Sequence, residues 1–111
     1  MKKLILTITL LIAPFFSMAA TCSKTGCIDK IQMLYVNADG NIYIGMPGDE
    51  KLANCTPVSG VYFTLPPTAE NKKEVYSALL AAQMADKVVH VRVKEGTSKC
   101  EIAYITLDTR R

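Results

Sequence analysis

VYFTLPP, residues 61–67, decides how this chain folds. Val61, Phe63 and Leu65 fall on one face of an alternating strand, and the two prolines that follow cannot donate a ladder hydrogen bond, so the strand stops there. A helix begins a few residues on. In NKKEVYSALLAAQ (71–83) Asn71 is a suitable N-cap, and Glu74, three residues later, completes a capping box with Asn in place of the usual Ser or Thr. Val75, Tyr76, Leu79, Leu80 and Gln83 recur at helical spacing, while Ala78, Ala81, Ala82 and Ala85 keep the remaining surface narrow enough to lie close against a sheet.

Working outward, KIQMLYV (30–36) places Ile31, Met33 and Tyr35 on one face and Gln32, Leu34 and Val36 on the other. Asn37-Ala38-Asp39-Gly40 is a turn signal, and NIYIGM (41–46) then alternates Ile42, Ile44 and Met46 inward against Asn41, Tyr43 and Gly45, which predicts an antiparallel hairpin. Pro47-Gly48-Asp49-Glu50-Lys51 reads as a polar loop. Downstream of the helix, VVHVRVK (88–94) sets Val89, Val91 and Val93 against Val88, His90, Arg92 and Lys94, and a turn at 95–98 leads to a last strand, CEIAYITL (100–107). The order is three strands, a helix and two strands. That is the order of a mainly β (α+β) fold, a five-stranded OB-fold-like barrel whose one helix, between strands 3 and 4, plugs an open end. An open α+β sheet with the helix across one face is the competing arrangement.

Residues 1–20, MKKLILTITLLIAPFFSMAA, have the layout of a signal peptide: Lys2 and Lys3, an apolar run from Leu4 to Phe16, and small residues before a cut after Ala19 or Ala20. The run is shorter than the ~20 residues that cross a bilayer and lacks a basic stop-transfer flank, so no stable membrane insertion is expected after cleavage. Cys22 lies close enough to the cut to raise lipidation, against which Thr21 is bulkier than the residue such sites usually carry. The remainder, residues 21–111, reads as a single domain, exported to the periplasm or secreted. Without Lys2 and Lys3, 11 of the 13 basic residues face 10 acidic ones, and no Lys/Arg stripe is left to bind a nucleic acid.

All four cysteines, Cys22, Cys27, Cys55 and Cys100, fall in the exported part, where an even number reads as disulfides. Of three pairings the favoured one joins Cys22 to Cys27 and Cys55 to Cys100, the first closing a short loop and the second tying the middle of the chain to its end. A zinc site would want two close ligand pairs, and the lone His90 sits inside an alternating run. No metal or cofactor is therefore expected. No catalytic acid, base and nucleophile can be assembled either: there is no Gly-x-Ser-x-Gly elbow, and Asp49-Glu50 reads as a solvated turn. Binding is left. Among the tyrosines, Tyr43 and Tyr62 should point opposite to the apolar faces of their strands, which makes them the candidate ligand-binding residues.

The strings CTPVSGVYFTL (55–65), EVYSALLAAQMADKVVHVRV (74–93) and CEIAYITL (100–107) resemble a group of small secreted bacterial proteins of unassigned activity. That group is similar in size and element order to the B subunits of subtilase-cytotoxin and pertussis-type toxins, and the resemblance covers the chain from Cys27 to Leu107. It implies an OB fold, assembly into a ring of five and glycan binding on an outer surface; no sugar-binding motif of the toxin subunits matches residue by residue. The expected function is an exported, non-catalytic binding module that recognises a glycan or a protein partner as a homo-oligomer. The alternative is a periplasmic or envelope structural protein with no ligand.

Overall fold

The computed structural model describes residues 21–110; the expected signal peptide over 1–20 lies outside the described residues, as does Arg111. Seven strands and one α-helix follow in order: β1 (Cys22–Ser23), β2 (Gly26–Asp29), β3 (Met33–Val36), β4 (Ile42–Gly45), β5 (Phe63–Leu65), α1 (Lys72–Met84), β6 (Val89–Val93) and β7 (Ile102–Leu107), with a 3-10 turn at Glu50–Leu52 between β4 and β5. The helix falls where the sequence places it, and Pro66 follows directly on the last residue of β5.

The strands form two antiparallel sheets, β1-β2-β6-β7 and β3-β4-β5. A single continuous barrel wall, as expected from the sequence, is not what the hydrogen-bond ladders make. Of the expected first strand at 30–36 only Met33–Val36 is strand, β3, paired with β4; a separate strand, β2, precedes it and pairs with β6, and Lys30–Gln32 between them belongs to neither. Ile31 is buried at this break, and the Gln32 amide donates to the Gly45 carbonyl at 2.9 Å. Two strands consecutive in the chain thus lead from one sheet into the other. At the opposite side the sheets touch again through a parallel bridge between Thr64 and Glu101, where the Thr64 amide donates to the Cys100 carbonyl at 3.0 Å and its hydroxyl to the Lys99 carbonyl at 2.8 Å.

Inside, Ile42, Ile44, Phe63 and Leu65 form one apolar cluster with Cys27, Val89, Val91 and Ile102 and with Val75, Leu79 and Ala82 of the helix. The helix therefore buries positions spaced by four and three, while Leu80, read as part of the same stripe, is 40% exposed. The capping box does not form. Asn71 makes no side-chain cap bond and instead donates from Nδ2 to the Ala103 carbonyl on β7 at 3.1 Å, using its amide to anchor the helix start to the sheet.

Both favoured disulfides are present, Cys22–Cys27 across the β1–β2 hairpin and Cys55–Cys100 across 45 residues. Cys100, expected to open the last strand, has φ +46° and precedes it. Gly26 is a requirement of the β2–β6 approach: its φ is +140°, and a Cβ there would stand 1.9 Å from the Val91 carbonyl oxygen. A bulge between Arg92 and Val93 slips the β6–β7 register, so that Ile102 points inward and Tyr104 outward. No helix among the described residues is long and apolar enough to cross a membrane.

Candidate functional site

The hairpin turn builds the site. The Asn37 carboxamide oxygen accepts the amides of Asp39 and Asn41 at 3.0 and 2.9 Å, which centres the β3–β4 hairpin on Asp39 and sets Tyr35 directly opposite Tyr43. The rings stack, with centroids 4.8 Å apart and planes 15° from parallel. Tyr62, just before β5, closes the group edge-on, 5.6 Å from Tyr35 and 6.1 Å from Tyr43. Three rings therefore form one wall on the outer face of the β3-β4-β5 sheet. Offset-stacked and T-shaped pairs at these separations each contribute about 0.5–1.5 kcal/mol beyond area burial, so the wall holds its shape without a guest.

The two residues expected from the sequence, Tyr43 and Tyr62, stand on this outer face but are half-buried, because they cover each other. Tyr35 on the edge strand is the most accessible of the three, 39% exposed. Sequence reading placed Tyr35 on a face with Ile31, which the break at Lys30–Gln32 separates: Ile31 turns inward while Met33 and Tyr35 face out. The missing signal was available in the turn, since a hairpin centred on Asp39 puts 35 across from 43. Loss of water around the ring, with the neighbouring phenols of Tyr62 and Tyr43, raises the Tyr35 phenol above its ordinary value.

Beside the wall lies a cleft of about 350 Å³, floored by Gly45 and Met46 and bounded by Met33, Val61, Tyr62 and Glu50. Gly45 permits it: a Cβ there would stand 3.3 Å from the Tyr62 ring, so the bare backbone lets the ring lie on the strand. The Tyr62 hydroxyl donates to the Met33 sulfur at 3.4 Å, fixing the ring's tilt across the cleft mouth. Glu50 is the feature sequence reading missed. Read as a solvated loop residue, it is only 3% exposed, and its Oε1 accepts the Met46 amide at 2.8 Å. Burial raises its carboxyl above the ordinary range, opposed by backbone hydrogen bonds from Met46 and from its own amide, with the charge of Asp49 adding to the rise. Nothing in the pattern Pro-Gly-Asp-Glu-Lys marks this side chain for the interior.

Elsewhere, Arg92 on β6 stands 5.7 Å from the centre of the Tyr104 ring on β7, a cation–π pair on the outer face of the other sheet. His90 lies half-buried on β6 across from Thr106. An apolar groove of about 250 Å³ runs between the end of α1 and the end of β7, lined by Ala81, Ala82, Ala85, Val88 and Leu107. Among the described residues no group of three or more His, Cys, Asp or Glu side chains is placed to hold a metal ion, and no cysteine is free. Chemically the tyrosine wall and its cleft can stack a ring and exchange hydrogen bonds with it. Comparison with protein-family models, with curated proteins and with solved structures gives no match for this chain.

Proposed function

We propose that this chain is an exported, non-catalytic module that binds a glycan on the outer face of the β3-β4-β5 sheet. The observation that carries the reading is the wall of Tyr35, Tyr43 and Tyr62, three aromatic rings preassembled on a surface. The C–H faces of a pyranose carry partial positive charge and sit well on electron-rich ring faces, while phenol hydroxyls meet sugar hydroxyls at the edge. Rigid aromatic side chains lose little conformational freedom on binding, which favours weak but specific ligands. Two disulfides suit an oxidising compartment and hence export.

An OB-type barrel is the finer architecture we infer. Its support is that the two sheets meet at both sides, through the consecutive strands β2 and β3 joined at Lys30–Gln32 and through the Thr64–Glu101 bridge; counting β2 and β3 as one interrupted strand gives the cyclic neighbour order of a partly open five-stranded wall. A glycan array read with the purified protein tests the function. The expected result is binding to a restricted set of glycans that Tyr35→Ala and Tyr43→Ala abolish while the variants stay folded, with melting temperatures lowered only by about the 1–3 kcal/mol of the two ring pairs each loses. A fully folded protein that retains no glycan defeats the proposal.

A second reading, a protein contact in the envelope, draws on exposed apolar side chains along two edge strands: Met33 and Val36 on β3, Tyr104 and Leu107 on β7. In-cell crosslinking from position 36 or 107 separates it from the first, since a glycan-binding face captures no protein neighbour at those edges.

A further inference from the structure

We propose that the cleft beside Tyr62 receives a neutral sugar ring, with Glu50 accepting its hydroxyls, and discriminates against acidic sugars. The inference rests on the glycan reading above and adds to it the class of sugar. Three observations point the same way. First, Glu50 both lines the cleft and is almost wholly buried, a position that a carboxylate adopts at a cost unless it serves as an acceptor. Its carboxyl is engaged by the Met46 amide and by its own amide, and a carboxylate offers about four acceptor sites, so capacity remains for hydroxyl donors.

Second, Glu50 is the only carboxyl, ammonium or guanidinium side chain among the described residues lining the cleft; its companions are Gln32, Met33, Met46, Val61 and Tyr62 with backbone from 45 to 48. No Lys or Arg is placed there to receive a sugar carboxylate. An acidic sugar in the cleft would set a second carboxyl a few ångströms from Glu50 near a low-dielectric wall, with no cation to offset it, a cost on the order of 100-fold in affinity when both are ionised. Third, the cleft is walled by a half-buried aromatic ring and a thioether, surfaces that suit the apolar face of a pyranose. Its volume, about 350 Å³, is near the lower end of ligand clefts and suits one ring rather than an extended chain.

The test is isothermal calorimetry on the mature protein with matched oligosaccharide pairs, one ending in a neutral hexose and the other in its uronic acid or a sialic acid. Binding of the neutral member, at least 10-fold tighter than the acidic one, is expected. Glu50→Gln, which keeps an oxygen for the Met46 amide, should weaken the neutral sugar by about 10-fold and narrow the gap between the pair. Val61→Lys, at an exposed rim position, should narrow the gap from the other side by admitting the acidic sugar, and it answers the question should Glu50→Gln fail to fold. Equal binding of both members, preference for the acidic one, or a gap that neither variant moves overturns this inference while leaving the tyrosine wall as a glycan site. If no sugar of either kind binds, the glycan reading itself falls and this inference with it.

Discussion

The Cys55–Cys100 bridge should carry more of the stability than the Cys22–Cys27 bridge, and the difference can be worked from the chain. Cys100 is fully buried, and the bond joins the segment after the 3-10 turn to the residue that hands its carbonyl to Thr64. Closing 45 residues rather than 5 removes more freedom from the unfolded chain: the loop-entropy relation gives about 4 kcal/mol for the long bridge and about 2 kcal/mol for the short one. Replacing Cys55 and Cys100 together by Ala should therefore lower the melting temperature by roughly 15–30 °C, at ~4–8 °C per kcal/mol for a domain of this size. The partner variant lacking Cys22 and Cys27 should fall by about half as much. Urea denaturation of both variants under non-reducing conditions, followed by circular dichroism, measures the two free energies. Each variant loses buried sulfurs, so packing losses roughly cancel in the comparison. Equal losses, or a larger loss for the short bridge, would mean that native packing and not chain entropy sets the order, and the reasoning would fail.

Other expectations are as direct. Gly26→Ala forces a side chain into φ +140° and against the Val91 carbonyl; strain alone is of order 1–3 kcal/mol, and the variant should unfold in far less urea than the parent. Near-parental stability would show that β2 can retreat from β6. Glu50 gives a pH signature: its carboxyl is raised in the folded protein, so ionising it opposes folding, and the penalty is absent below the unfolded value of about 4.3 and grows as pH rises through the folded value. Glu50→Gln removes that penalty, so its stability relative to the parent should improve between pH 4 and pH 7, and a relative decline over that interval would contradict the burial argument. Asn71→Ala loses the bond to Ala103 and should cost about 1 kcal/mol, with Asn71→Ser, a good N-cap, unable to restore it; full rescue by Ser would return the residue to a capping role.

What the sequence made legible was whatever a local pattern enforces. Pro66 bounds β5 because it has no N–H, the alanines of α1 let it pack near β7, and the Asn37–Gly40 turn dictates the β3–β4 hairpin. The favoured disulfide pairing is also the one the structure contains. What escaped was set by long-range geometry. The break at Lys30–Gln32 has no proline or glycine to announce it; the chain turns there because β2 has β6 as neighbour and β3 has β4. Asn71 does stand at the N-cap position, but its side chain serves the Ala103 carbonyl on β7 instead of the helix. Glu50 looked solvated, because nothing in five polar loop residues says that one of them folds back under Met46.

The tyrosine wall has one practical consequence. The chain holds no tryptophan and five tyrosines, so ultraviolet emission comes from phenols alone. With three of those five rings within about 6 Å of one another, excitation absorbed by any member can hop among them and drain to the most quenched. The surface offered to a guest is therefore its own optical reporter, and a molecule that settles against Tyr62 should change the brightness of the whole protein without any attached dye.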